Sequence, residues 1–175
     1  GLRNLWRTDT GAEDLRGCDG LRAGGQGMYV ILATNDKDRY PLVSPAVKIY
    51  STAKADLAAP KDAFALLGEE EVTKKWDVPP ARIGDVLALA GDSVDNIPGA
   101  GFGRKTAAKL ISEFGSLDAL LADLGKVKTP RTREKLEAAR ERVLQNRKMV
   151  ELDCDTPIPV PLEELRITPD YPRLI

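Results

Sequence analysis

The chain has 175 residues, 42% of them hydrophobic and 30% charged, with 26 Lys and Arg against 27 Asp and Glu. That size is enough to bury a sizeable core, as one domain or as one domain with part of another. With no His and only Cys18 and Cys154, the chain is a poor source of zinc sites, disulfide frameworks or Ser and Cys triads, so acid-base or metal chemistry must rest on Asp, Glu, Lys or Tyr.

Residues 1 to about 27 are polar and glycine-rich, with the turn-prone stretch Arg22-Ala23-Gly24-Gly25-Gln26-Gly27 and little periodicity. They carry neither a signal-peptide pattern nor an apolar run near the roughly 20 residues that cross a bilayer, and the same holds for the rest of the chain. A cytoplasmic protein with no membrane contact is expected. The continuous apolar run Met28-Tyr29-Val30-Ile31-Leu32-Ala33 predicts a buried parallel strand, ending in Thr34-Asn35-Asp36-Lys37-Asp38. Ligands in open α/β sheets gather at the carboxyl ends of such strands. Val47 to Tyr50 predicts a second strand, and the alanine-rich stretch from Ser51 to Leu67 a looser insert with a short helix.

From Glu69 onward the pattern is helical. Glu69 to Trp76 predicts a short helix, broken by Val78-Pro79-Pro80, and Ala81 to Ala90 an apolar one with Pro80 near its start. A third runs from Thr106 to Phe114, stopped by Gly115, and Ser116 is a good N-cap for a fourth over Leu117 to Leu124. Pro130 opens a long charged helix to about Val150. The proline-rich tail from Leu152 to Ile175 reads as extended chain wrapped on the body.

Between the second and third helices lies Gly91-Asp92-Ser93-Val94-Asp95-Asn96-Ile97-Pro98-Gly99, followed at once by Ala100-Gly101-Phe102-Gly103-Arg104-Lys105-Thr106-Ala107. Carboxylates collect hard divalent cations, while glycine amides at a helix N-terminus accept an anion, so the segment pairs a metal signal with a phosphate signal. Gly99 to Thr106 differs from the phosphate loop GxxxxGK[ST] only at Arg104, but without that glycine and a preceding strand a nucleotide-triphosphate site is not expected. Further on, Lys126 to Lys148 holds nine basic residues against three acidic ones, a local charge of +6. That stretch reads either as a phosphate-binding face or as a solvated helix with intrahelical pairs such as Glu137–Arg140.

The segment from Val78 to Leu121 resembles the helix-three-turn-helix region of the 5′-nuclease family, especially the 5′→3′ exonuclease domain of bacterial DNA polymerase I and the flap endonucleases. The resemblance lies in GDxxDNIPG, in the GxGxKTA hairpin and in the Phe-Gly-Ser-Leu that follows, all in the family's order. Thr34 to Asp38 is similar to the family's TGDKD, with Asn35 in the Gly position, and Gly11-Ala12-Glu13-Asp14 falls where its EADD motif belongs, with Gly11 replacing the first acidic residue. The stretch from Ile97 to Lys105 is one residue shorter than the usual IPGVxGIGxKT.

This resemblance implies an α/β fold in which a remnant of a parallel-sheet, PIN-like nuclease core (residues 1–67) precedes an all-α helix-three-turn-helix module with a helix-hairpin-helix (68–155) and an extended tail (156–175). It implies a cluster of Glu13, Asp14, Asp36, Asp38, Asp92 and Asp95 holding two divalent ions, Mg2+ or Mn2+, with Asp36, Asp38, Asp92 and Asp95 as the catalytic set. Two ions about 4 Å apart orient a water and stabilise the leaving oxygen, which takes several carboxylates to neutralise. Asp36 and Asp38, two apart in an extended segment, are expected to point the same way, and Asp92 and Asp95 to share a face if their turn is helical. Taken residue by residue, each acidic pair reads equally as turn or cap residues.

The resemblance further implies that Gly99, Gly101, Gly103, Arg104, Lys105 and Thr106 hold double-stranded or flap DNA through its phosphates, with K+ at the hairpin. A purely structural glycine turn is the alternative. The implied function is a metal-dependent 5′→3′ exonuclease or flap endonuclease in replication and repair, a monomer joined to a polymerase domain. Nothing before Gly11 matches the family's first strand and basic arch, which leaves a non-catalytic DNA-structure-binding module as the rival reading.

Overall fold

The computed structural model describes residue 25, residues 27–59 and 61–152, and residues 161 and 164. The expected acidic pair Glu13 and Asp14, nearly all of residues 1–27 and almost the whole tail lie outside the described residues.

Three strands, β1 (Val30–Ala33), β2 (Val47–Ser51) and β3 (Ala65–Leu67), form one sheet in the order β1-β2-β3. The expected parallel pairing holds for β1 and β2, in the register Val30 to Val47 through Ala33 to Tyr50, whereas β3 runs antiparallel to β2. The sheet is therefore mixed. Two expectations are corrected in this part of the chain. The insert after Ser51 contains a single 3-10 turn, Lys54–Asp56, and then the strand β3, whose three residues are too few to show a period in sequence. The apolar run of β1 is not buried on both faces either: Val30 and Leu32 turn inward, while Ile31 is 61% and Tyr29 84% exposed. Its continuous hydrophobicity is what a two-sided strand requires, and on one side the described residues supply no covering layer.

The helices are α1 (Glu69–Trp76), α2 (Ile83–Ala90), α3 (Arg104–Phe114), α4 (Leu117–Ala122) and α5 (Pro130–Val150). Local chemistry accounts for most of their ends. Gly68 N–H donates to Glu71 Oε2 at 2.9 Å at the start of α1, and Asp77 closes that helix in the left-handed region at φ 61. The stretch Pro80–Arg82 is a 3-10 turn rather than the first turn of α2. Gly115, with φ 85, stops α3, and Ser116 Oγ accepts the Ala119 N–H at 3.1 Å to open α4.

Helix α2 is buried nearly all round, with Ile83, Val86, Leu87, Ala88 and Leu89 at the centre of a core that takes in Ile49 and Leu67 from the sheet, Leu110 and Ile111 from α3, and Leu136 and Val143 from α5. Two polar groups inside it are fully used. The Asp85 carboxylate accepts Leu117 N–H at 3.1 Å and lies 3.2 Å from the Arg147 guanidinium. Asn146, 2% exposed, donates its amide to Ala88 O at 3.0 Å and Pro98 O at 2.8 Å, tying α5 to the end of α2 and to the loop before Gly99. Both carbonyls would be stranded by Asn146→Ala, and a loss of about 2–3 kcal/mol in urea unfolding is expected. Asn146→Ser, which retains one donor, should lose less.

Candidate metal and phosphate site

The acidic residues of the central loop are placed by a backbone contact. Gly91, at φ 79, follows α2 and lies against Gly99: a Cβ on Gly91 would stand 2.6 Å from Ile97 O and 2.7 Å from Gly99 Cα, and a Cβ on Gly99 would fall onto the Ala90 carbonyl. Between the two glycines the chain closes as an antiparallel bridge, with Asp92 N to Ile97 O at 2.8 Å and Ile97 N to Asp92 O at 2.7 Å. Asn96, at φ 56, turns the corner. The stretch from Asp92 to Asn96 is thus a turn and not a helix. Asp92 and Asp95 come together through its curvature rather than through helical spacing. The Asp92 Oδ1 atom accepts the Val94 N–H at 2.9 Å, which leaves Oδ2 to point elsewhere.

It points at Asp38. Carboxylate oxygens of Asp38, Asp92 and Asp95 lie within 4.8 Å of one another, brought together from the turn after β1 and from the bridged loop. Among the described residues Asp38 Oδ1 is buried without a hydrogen-bond donor. The Lys37 ammonium lies 2.5 Å from Asp92 Oδ2 as an ion pair. Three carboxylates converging on a point beside a lysine charge, one of them with an undonated buried oxygen, fit one divalent cation.

Asp36 does not join them. Asp36 caps the 3-10 turn Lys37–Leu42, accepting the Asp38 N–H at 3.1 Å, and pairs with Arg39 at 3.8 Å. The expected common direction of Asp36 and Asp38 fails because the segment turns at Asp36, so Asp38 sits inside a 3-10 turn and not in extended chain. Lys37 is the residue that sequence reasoning passed over. It stands between the two acids in the motif, and its place there was the available signal.

Burial, followed by the charges of Asp36, Asp95 and Asp92, raises the Asp38 carboxyl from 3.8 to about 6. Burial also works against the charge of Asp92, but hydrogen bonds from Lys37 and the Val94 amide outweigh it and keep Asp92 below the usual carboxylate value.

On the other side of the bridge the glycines divide in role. Gly99 is committed to packing, and it has no room for a side chain even though sequence placed it with the phosphate-contacting set. Gly101, at φ 78, is exposed, and Gly103 opens α3 with free space where a Cβ would stand. No side chain among the described residues caps α3, so the Arg104 and Lys105 amides are open to an anion, with the Lys105 and Thr106 side chains exposed beside them. Arg104 is turned back, its guanidinium 4.9 Å above the Trp76 ring. The basic stretch 126–148 is less free than its charge implies. Arg133 and Arg140 donate to backbone carbonyls, Lys135 to Gly101 O, and Arg147 pairs with Asp85 and Asp118. Arg140 thus serves Leu121 O, not Glu137. Lys126 and Lys128 face Asp123 and Glu113, which leaves Arg131, Arg142 and Lys148 without a protein partner among the described residues.

Residues 78–172 match the family described as 5′-3′ exonuclease, C-terminal SAM fold. The chain belongs to this family. It is 37% identical over 176 residues to the thermostable DNA polymerase I of Thermus filiformis, a match that covers 99% of this chain and 20% of the polymerase. The chain spans a fifth or less of the curated polymerases it matches. Two structures of the T5 D15 protein share the fold. One was co-crystallised with metal ions (TM-score 0.70, 21% identity, 85% of this chain and 52% of that one). The other is a flap endonuclease variant in a pseudo-enzyme-product complex with DNA and metal ions (TM-score 0.66, 21% identity, 80% and 49%). This 5′-3′ exonuclease family chain has no helix among the described residues long and apolar enough to cross a membrane.

Two outcomes follow from the geometry. Gly99→Ala should cost about 3 kcal/mol or more in chemical denaturation, because a methyl has nowhere to go but into the end of α2. For Asp38 the sign follows from its raised folded value: the native state holds a proton that the unfolded chain releases between about pH 4 and about pH 6, so this group removes stability as pH rises through that window. Asp38→Asn should therefore raise the melting temperature over the parent protein at about pH 8 and not at about pH 4. Equal gaps at both values would show that Asp38 titrates normally.

Proposed function

We propose that this chain carries part of a divalent-metal-dependent 5′→3′ exonuclease or flap endonuclease that acts on DNA 5′ ends in replication and repair. The observation that carries the reading is the convergence of Asp38, Asp92 and Asp95 on one face of a bridged loop whose other face presents an open helix N-terminus.

Asp38, Asp92 and Asp95 would hold a Mg2+ or Mn2+ ion, with Asp36, Glu13 and Asp14 as the candidates for a second. Bound there, such an ion supplies positive charge to a scissile phosphate and makes a coordinated water more acidic. The residues around it do the rest. Asp92 is kept ionised by Lys37 and the Val94 amide, so it is ready for a cation at neutral pH. Asp38, raised only to about 6, is also largely ionised at neutral pH and adds its charge to the cluster. Lys37 balances the cluster's negative charge, which lets a polyanion approach.

The stretch Gly99–Thr106 is read as the helix-hairpin-helix. Gly101 and Gly103 let the backbone approach the duplex, while Lys105, Thr106 and the first amides of α3 meet successive phosphates, with K+ as a candidate bridging ion. Such contacts position a duplex without reading its sequence. In this reading the family's helical module begins near residue 68, a polymerase domain is the candidate neighbour, and the protein works as a cytoplasmic monomer.

The test is cleavage of a 5′-flap duplex in Mg2+ by this chain and by Asp92→Ala/Asp95→Ala. The nuclease reading expects cleavage that the double substitution abolishes. The specific observation behind a second reading is that Asp36 is occupied as a cap. Were binding tight without any cleavage, falling steeply with salt and weakened by Lys105→Ala, the chain would be a DNA-structure-binding module instead.

A further inference from the structure

A cleft of about 320 Å³ opens beside Asp92 and runs to the start of α3, with Lys37, Tyr40, Lys75, Trp76, Ser93 and Arg104 among its walls. Its far end is a closed polar network. The Asp56 carboxylate, 1% exposed, is paired with the Lys75 ammonium and accepts Ser51 Oγ at 2.6 Å and Tyr40 Oη at 3.2 Å, while Lys75 Nζ also donates to Tyr40 Oη at 2.7 Å. With three protons and two of these partners, the ammonium keeps one N–H to offer.

The cleft is rich in donors and short of free acceptors. Its two carboxylates, Asp56 and Asp92, are each matched by a lysine, whereas Arg104 has no acidic partner among the described residues and is held flat on Trp76. That leaves a net charge of +1 at neutral pH on these five groups. Trp76 itself is 3% exposed, and its indole Nε1 is buried with no acceptor among the described residues. An unspent indole N–H, an unpaired guanidinium in a fixed plane and the remaining ammonium proton are the complement of a tetrahedral oxyanion. The walls also include groups from both candidate sites: Asp92 belongs to the carboxylate cluster and Arg104 is the first residue of α3.

We infer that this cleft is a phosphate subsite, which takes one backbone phosphate of a nucleic-acid strand passing between the carboxylate cluster and the glycine loop, with Arg104, Lys75 and Trp76 as its donors. The choice of a strand over a free phosphate rests on the nuclease reading given above. The phosphate chemistry of the cleft does not. Arg104 accordingly serves the cleft, and not the row of phosphates met by Lys105 and Thr106.

Calorimetric titrations in EDTA separate the two. The ligands are inorganic phosphate, thymidine 5′-monophosphate and a short single-stranded oligonucleotide, each against chloride at matched ionic strength. All three should bind, the oligonucleotide most tightly if a strand is the natural occupant. Arg104→Gln and, separately, Asp56→Asn/Lys75→Gln should each weaken phosphate binding by about tenfold, the worth of one charge-assisted hydrogen bond. The double form removes the buried acid together with its base, so no lone charge is left inside. Should it fail to fold, Arg104→Lys decides: a lysine retains the charge but loses the planar fork on the indole, and binding as tight as the parent's would overturn the subsite. So would the absence of phosphate binding beyond the chloride control, or weakening by Arg104→Gln alone while the folded double variant binds normally. Phosphate binding in a protein that cuts no flap would refute the nuclease reading and leave the cleft standing.

Discussion

At Gly91 and Gly99 two stretches of backbone meet with no space for a side chain on either, and both candidate sites take their positions from that contact. It closes the loop between them, so the Asp92 to Ile97 bridge forms and Asp92 is driven inward while Asp95 stays at the surface. The chain leaving Gly99 must then turn outward, which sets Gly101 and Gly103 in the open before α3 begins. A close backbone approach of this kind is rigid, because neither partner has rotamers to yield. The distance between carboxylates and helix N-terminus is therefore built into the main chain rather than left to flexible side chains.

Around that contact the protein spends buried polar groups on register. Asn146 reaches from α5 to carbonyls on either side of the glycine pair, and Asp85 in α2 meets the first amide of α4 and the guanidinium of Arg147. Each is satisfied, and each joins elements far apart in sequence, which suits them to holding a single arrangement more than to adding net stability. The carboxylate cluster is the opposite case. The undonated oxygen of Asp38 and its raised value show charge gathered without full compensation, and such local cost is typical of a place that receives a cation.

Much of the helical half was legible because its signals are local. Pro130 and Val150 bound α5 as expected, Ser116 caps α4, and Gly115 stops α3, all through interactions within a few residues. The sheet was harder to read. Strand β3 has three residues and no period, and the exposure of Ile31 depends on what lies across from it, not on its own run of apolar neighbours. Among the acids, the motif spacing pointed to Asp38, Asp92 and Asp95, but it could not separate Asp36 from Asp38, because that depends on a 3-10 turn whose cap is Asp36 itself. In the basic stretch, charge was visible and direction was not: most of those side chains reach back to carbonyls and carboxylates of other elements.

Sequence by itself determined which stretches are helical and several of their ends, which loop joins carboxylates to glycines, and the family to which the chain belongs, since these rest on contacts spanning a few residues and on the order of motifs. Tertiary structure alone decided which carboxylates meet, that Gly99 packs instead of facing solvent, and that Lys75, Trp76 and Arg104 share one cleft. Those outcomes depend on where distant segments come to rest once the core around α2 has closed, and no local pattern encodes that meeting.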